Sequence, residues 1–183
     1  MFKFIKAVLI TLLFCSGHSV LAEVMPESPK FKEARIEKEV NSLFKATVVA
    51  AAKDLNDDQQ MQPFALVKKL DGTTGLYQSE ESEKNKHLTV VQQASAIRNM
   101  LTGLANTQQI VAYAQAMYAT VQTEGGKSVQ GLSIEIEHKE GVSLMRFIPI
   151  KPMNKDGEEK LDFQLQNVST AVKPKVVFAQ SGI

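Results

Sequence analysis

Three observations predict an α+β fold. Two stretches, at about 29–55 and 87–105, carry apolar residues at helical spacing, segments from 108 onward alternate apolar and polar residues, and turn-forming residues separate these segments. Strands that alternate along an antiparallel meander want one covered face, and two amphipathic helices can supply it. The expected architecture is therefore a two-layer sandwich, an antiparallel β-sheet of five or six strands with two helices on one face, in the order α-β-β-α-β-β-β-β. With 183 residues, 44% apolar and 22% charged, and no low-complexity tract, collagen-like, disordered and coiled-coil readings are excluded. A formal charge of +1 leaves no field to recruit nucleic acid.

The chain opens with Lys3 and Lys6, an apolar run from Ala7 to Phe14, a more polar stretch, and Val20-Leu21-Ala22. This is the pattern of a secretory signal peptide over 1–22. The run is too short for the roughly 20 apolar residues that span a bilayer, so no stable membrane anchor is expected after cleavage. Lipoprotein processing at Cys15 is the alternative, but it would place bulky Phe14 where such signals carry a small residue. Cleavage after Ala22 removes the only cysteine and two lysines, leaving 161 residues with 19 basic and 20 acidic groups. The expected location is periplasmic or extracellular, and the mature chain must be held by its core without disulfides.

After a leader at 23–27, residues 28–183 read as a single α+β domain. Ser28-Pro29 is an N-cap followed by proline at the first helical position. Ile36, Val40, Leu43, Thr47, Ala51 and Leu55 then mark one face of a first helix, about 40 Å long at 1.5 Å per residue. Its back half, Leu43 to Ala52, is apolar or small on nearly every side, which predicts burial in the core or in a self-association interface. Phe64-Ala65-Leu66-Val67 has strand length, and Asp71-Gly72 suits a type I′ turn, so 63–70 and 73–79 form a hairpin. Ser79 to Lys86 is a charged loop.

Val91, Ala94, Ile97, Met100, Leu101 and Leu104 form the inner stripe of the second helix, with Asn106 as its left-handed terminal residue. Residues 108–123 fit a helix or a strand. The strand reading is preferred because Leu132 to Glu137 alternates cleanly beyond Glu124-Gly125-Gly126-Lys127 and needs a pairing partner. Val142 to Ile150 is a further strand that Pro149 ends or places at an edge, Leu161 to Gln166 another, and Lys175 to Phe178 a short last one. The order of elements is similar to that of roadblock, longin-type and profilin-like domains, and more loosely to cystatin-like folds with a leading helix. The likeness is one of layout, and layout does not imply function.

Candidate chemistry is sparse. Neither a Gly-x-Ser-x-Gly elbow nor a phosphate loop is present, and His87 and His138 are the only histidines after processing, so neither a metal nor a cofactor is expected. Glu135 and Glu137 fall on one face of a strand and His138 on the other. The two glutamates, with Arg146 from a neighbouring strand, are candidates for a ligand-binding patch, and Tyr113, Tyr118 and His138 for the rim of a pocket between the second helix and the sheet. The first functional expectation is an exported non-catalytic binding or assembly module, homodimeric through the first helix. A small-molecule sensor or carrier is the alternative, and a hydrolase built on Glu, His and Tyr is the third.

Overall fold

The computed structural model describes residues 27–58, 61–78, 87–123, 125–155 and 158–179. The expected signal peptide with Cys15, most of the leader and the whole charged loop at 79–86 lie outside the described residues. The fold is α+β, with elements α1 (Pro29–Asp58), β1 (Phe64–Lys69), β2 (Thr74–Gln78), α2 (Val90–Asn106), β3 (Ile110–Gln122), β4 (Ser128–His138), β5 (Ser143–Lys155), β6 (Glu158–Phe163) and β7 (Ser169–Val172). The seven strands make one antiparallel sheet, ordered β2-β1-β3-β4-β5-β6, with β7 also paired to β5.

All six stripe residues of α1, from Ile36 to Leu55, are buried. The buried Thr47 hydroxyl donates to the Leu43 carbonyl at 2.8 Å, which satisfies the one polar group in the stripe. These residues pack on Phe64 and Leu66 of β1, Ala112, Ala114 and Ala116 of β3, and Leu132, Ile134 and Ile136 of β4. Helix α2 begins with a capping box, Thr89 accepting from the Gln92 amide and the Gln92 side chain accepting from the Thr89 amide. It packs through Ile97, Leu101 and Ala105 on Ala65, Val67, Ile110 and Tyr113.

Those two partner sets interleave along β1 and β3, so the helices cover opposite faces of the sheet. This corrects the two-layer arrangement with both helices on one face. The cause lies in β1 and the start of β3, where Phe64 to Val67 and Ile110 to Gln115 are buried at every position and so require cover on both sides. Seven strands also exceed the five or six expected, because the chain returns to β5 twice. Residues 144–147 of β5 pair with β7 and residues 150–155 with β6. Pro149 therefore lies inside a long strand, where its outer-edge partner changes, and does not end it.

Several local expectations change. Residues 175–178 are not a strand but lead through a bend at 176 into a turn at 177–179, and the last strand is 169–172. The left-handed residue after α2 is Gln108 (φ 55°), whose N–H donates to Ala105, and not Asn106. Val91 is 67% exposed, outside the inner stripe. The Asp71-Gly72 turn is not type I′, since Gly72 alone has positive φ (84°). Its N–H returns to the Lys69 carbonyl and Lys69 N–H to Thr73, the longer loop with a glycine bulge. Asp71 serves that loop by accepting from the Thr73 amide and hydroxyl. The β3–β4 and β4–β5 turns repeat the pattern with Gly126 and Gly141.

Candidate functional site

Alternation along β4 distributes the candidate residues between the two faces of the sheet. Glu135 and Glu137 point to the α2 face, where β3 also places Tyr113. The Tyr113 hydroxyl donates to Glu135 Oε1 at 2.5 Å, while Arg98 of α2 (2.8 Å) and Lys173 (2.6 Å) hold Oε2. Burial pushes the Glu135 carboxyl up, but the Lys173, Tyr113 and Arg98 contacts outweigh it and leave the net shift downward. Burial, reinforced by the Glu135 charge, raises the Tyr113 phenol well above its ordinary range.

Glu137 is fully buried and does something different. Its Oε1 accepts the Val176 N–H at 2.7 Å, and Oε2 accepts those of Val177 (3.0 Å) and Phe178 (3.2 Å). The carboxylate thus fastens the segment that follows β7 across the end of β4. Val177 and Phe178 enter the α2-side core, with the Phe178 ring centroid 6.3 Å from that of Tyr113. Lys175 Nζ donates to the Lys139 carbonyl, and the Ser143 hydroxyl to Pro174. Beneath α2, where a pocket is expected, Ile97, Leu101, Tyr113, Val177 and Phe178 pack in one buried cluster.

His138, Arg146 and Tyr118 lie on the α1 face. The fully buried His138 ring accepts the Glu140 N–H at Nδ1 (3.1 Å), which leaves the neutral ring's proton on Nε2, directed to Glu39 Oε2 at 3.0 Å. Burial lowers the imidazole's proton affinity, and the bond to Glu39 offsets only part of that. Glu39 also meets Lys68 (3.4 Å) and Arg35 (3.8 Å), and Arg35 reaches Glu140 (2.9 Å). Burial raises the Glu39 and Glu140 carboxyls, but these partners reverse the sign and leave both below the ordinary value. The group is a polar clasp between the front of α1 and the β4–β5 turn.

Arg146 does not join Glu135 and Glu137, as expected from sequence. It is opposite Ile134, donates to Asn41 of α1 (3.2 Å) and stacks over the Phe44 ring, 4.4 Å from its centroid. Tyr118 is further out on β3, bonded to Gln130 (3.0 Å). Of the six candidates, therefore, Tyr113, Glu135 and Glu137 converge, while Tyr118, His138 and Arg146 lie across the sheet. Arg98 and Lys173 complete the first group, and neither carries a local motif that singles it out. Among the described residues no three His, Cys, Asp or Glu side chains are disposed to hold a metal ion, and no helix is long and apolar enough to cross a membrane.

Both clusters are closed by protein partners. The concavity beside the second is open. A groove of about 400 Å³ runs between the front half of α1 and the start of β5, floored by Ile36, Val40, Val142 and Leu144. Glu33 and Glu37 form its helical wall and Arg146 one end. A second cavity, about 550 Å³, adjoins the β1–β2 turn and Gln108 and is lined by none of the residues of either cluster. No protein-family model, curated protein or solved structure matches the chain.

Proposed function

We propose that the chain is an exported, non-catalytic binding module whose recognition surface is the groove between α1 and β5. One observation carries the reading: an open groove, within the 300–1,000 Å³ range of ligand sites, has an apolar floor and a few polar groups at its edge. The buried carboxylates support the non-catalytic part, because each is committed to fixing a segment of the chain. Export rests on the charged, apolar and small-residue order of residues 1–22. N-terminal sequencing of protein recovered from the producing cell should begin at Glu23, and a start at Met1 would refute export. For binding, amide spectra of the purified protein titrated with amphipathic small molecules and peptides should shift at Val142, Leu144 and Arg146. Shifts confined to other surfaces would refute the groove.

Self-association through α1 is a second reading, favoured by Val49, which is 70% exposed on the outer side of the helix beside exposed Ala46. It is narrower than the all-round burial expected for Leu43 to Ala52, since the fold already buries Leu43, Thr47 and Ala51. Light scattering that gives twice the monomer mass, and a Val49→Glu variant that returns it to the monomer mass, would establish it. A monomer at every concentration would remove it.

A further inference from the structure

The groove's lining specifies the chemistry of an occupant, a step that rests on the reading of it as a binding surface. Glu33 and Glu37 are one helical turn apart on the wall, exposed, and without an ion-pair partner among the described residues. The lining's third carboxylate, Glu140, is already neutralised by Lys32 (3.2 Å) and Arg35 (2.9 Å). Its one cation, Arg146, is engaged by Asn41 and the Phe44 ring. The unspent charge at the mouth is therefore negative, above a floor of aliphatic side chains.

The floor also continues outward. Leu144 is directly opposite Val172 in the β5–β7 pair, and Val172, on the same face, is 91% exposed. An extended chain lying along this floor beside α1, rather than in the plane of the sheet, rests every second side chain on the floor and leaves the others pointing away from the sheet beside the α1 wall. Basic side chains spaced two residues apart along such a strand are roughly 7 Å from one another, close to the separation of two carboxylates one helical turn apart.

We infer that the groove between α1 and β5 receives an extended peptide segment of a partner protein in which apolar residues alternate with lysine or arginine. The apolar residues cover Val142, Leu144 and Val172, and the basic ones meet Glu33 and Glu37. The cavity and its apolar floor make the site, and the two glutamates set the sign of charge it accepts.

The test compares three five-residue peptides on the purified protein, alternating leucine with lysine, glutamate or glutamine, by calorimetry and amide shift mapping. The lysine peptide should bind with shifts at Ile36, Val142, Leu144 and the β7 residues. Because Glu33 and Glu37 are exposed and support no contact of the fold, a Glu33→Gln/Glu37→Gln double variant should fold normally and bind that peptide about three- to tenfold more weakly. Raising salt to 0.5 M should weaken wild-type binding comparably. If the glutamate or glutamine peptide binds the groove as tightly, the cationic specificity fails and the groove reading stands. If the double variant binds the lysine peptide unchanged, the inference also fails. If none of the three produces shifts at the groove, both readings fall.

Discussion

Replacing Glu137 by glutamine tests whether a single carboxylate holds the C-terminal segment. Three backbone N–H groups converge on its two oxygens within 3.2 Å, on a side chain that is fully buried. A glutamine oriented to best advantage keeps one oxygen for Val177 and Phe178 and turns its NH2 toward the Val176 N–H, donor against donor. The loss combines a hydrogen bond to a charged group, about 1.5–3 kcal/mol, with the cost of an unsatisfied buried donor, about 1–3 kcal/mol, while the two weakened bonds survive. Partial relaxation of the segment brings the expected destabilisation to about 2–4 kcal/mol, a large share of the roughly 5–15 kcal/mol that holds a domain together. Urea unfolding followed by circular dichroism suits a chain without tryptophan. The midpoint should fall with an unchanged slope, and hydrogen exchange at Val176, Val177 and Phe178 should accelerate. A loss below about 1 kcal/mol with those three amides still slow would refute the assignment of Glu137 as the staple.

Tyr113→Phe should cost about 1–3 kcal/mol by removing the donor at 2.5 Å from Glu135 in a buried site, read by the same unfolding curves. Gly131→Ala should cost about 1–3 kcal/mol, because an added Cβ would run into the Ile148 carbonyl and come within 2.6 Å of the Phe147 ring; unchanged thermal melting would contradict it. The pH dependence divides into two windows. His138 is held below the ordinary imidazole value of 6.5, so the unfolded chain binds its proton more readily, and stability is complete above about pH 6.5 and falls as pH drops from there through the folded-state value. Glu39, Glu135 and Glu140 are held below the ordinary carboxyl value of 4.5, so their contribution is complete above that and is lost only in stronger acid. His138→Gln should flatten the melting-temperature profile between pH 6.5 and the carboxylate window while leaving the steeper acid limb. Parallel profiles for the two proteins would exclude His138 as the source of the upper window.

Periodicity made the elements legible. The three-to-four spacing from Ile36 to Leu55 yields the buried face of α1, and the need of Leu132 to Glu137 for a partner resolves the ambiguous 108–123 as a strand, paired from Ala112↔His138 to Gln122↔Ser128. Layering was legible too. Strict alternation in β4 suggested a sheet covered once, whereas the unbroken apolar runs Phe64 to Val67 and Ile110 to Ala114 belong to strands covered on both faces. Residues 169–178 followed no pattern of their own. β7 has no buried residue to show alternation, and the turn after it is held by a glutamate some 40 positions earlier in the chain. A contact of that separation leaves no local trace, and the same holds for Arg98 and Lys173 around Glu135.

The functional consequence comes from the period of two along β4. Glu137 and His138 are adjacent in sequence, yet successive side chains of a regular strand face opposite ways, and the β3–β4 pairing runs without a bulge from Gln122 to Ala112. A site using both would require that ladder to break between them. Each instead binds one outlying part of the chain to the sheet. Glu137 takes the three N–H groups at 176–178, and His138, through Glu39, takes the front of α1. The second attachment is what positions the groove, because the His138–Glu39 and Arg35–Glu140 contacts set the distance between the α1 wall and the β4–β5 turn. A residue whose ring reaches no ligand can therefore govern binding. His138→Gln should weaken the lysine–leucine peptide in proportion to its loosening of α1, measured as faster amide exchange at Ile36 and Val40. Unchanged affinity in a variant with loosened α1 would show that the groove does not depend on the clasp.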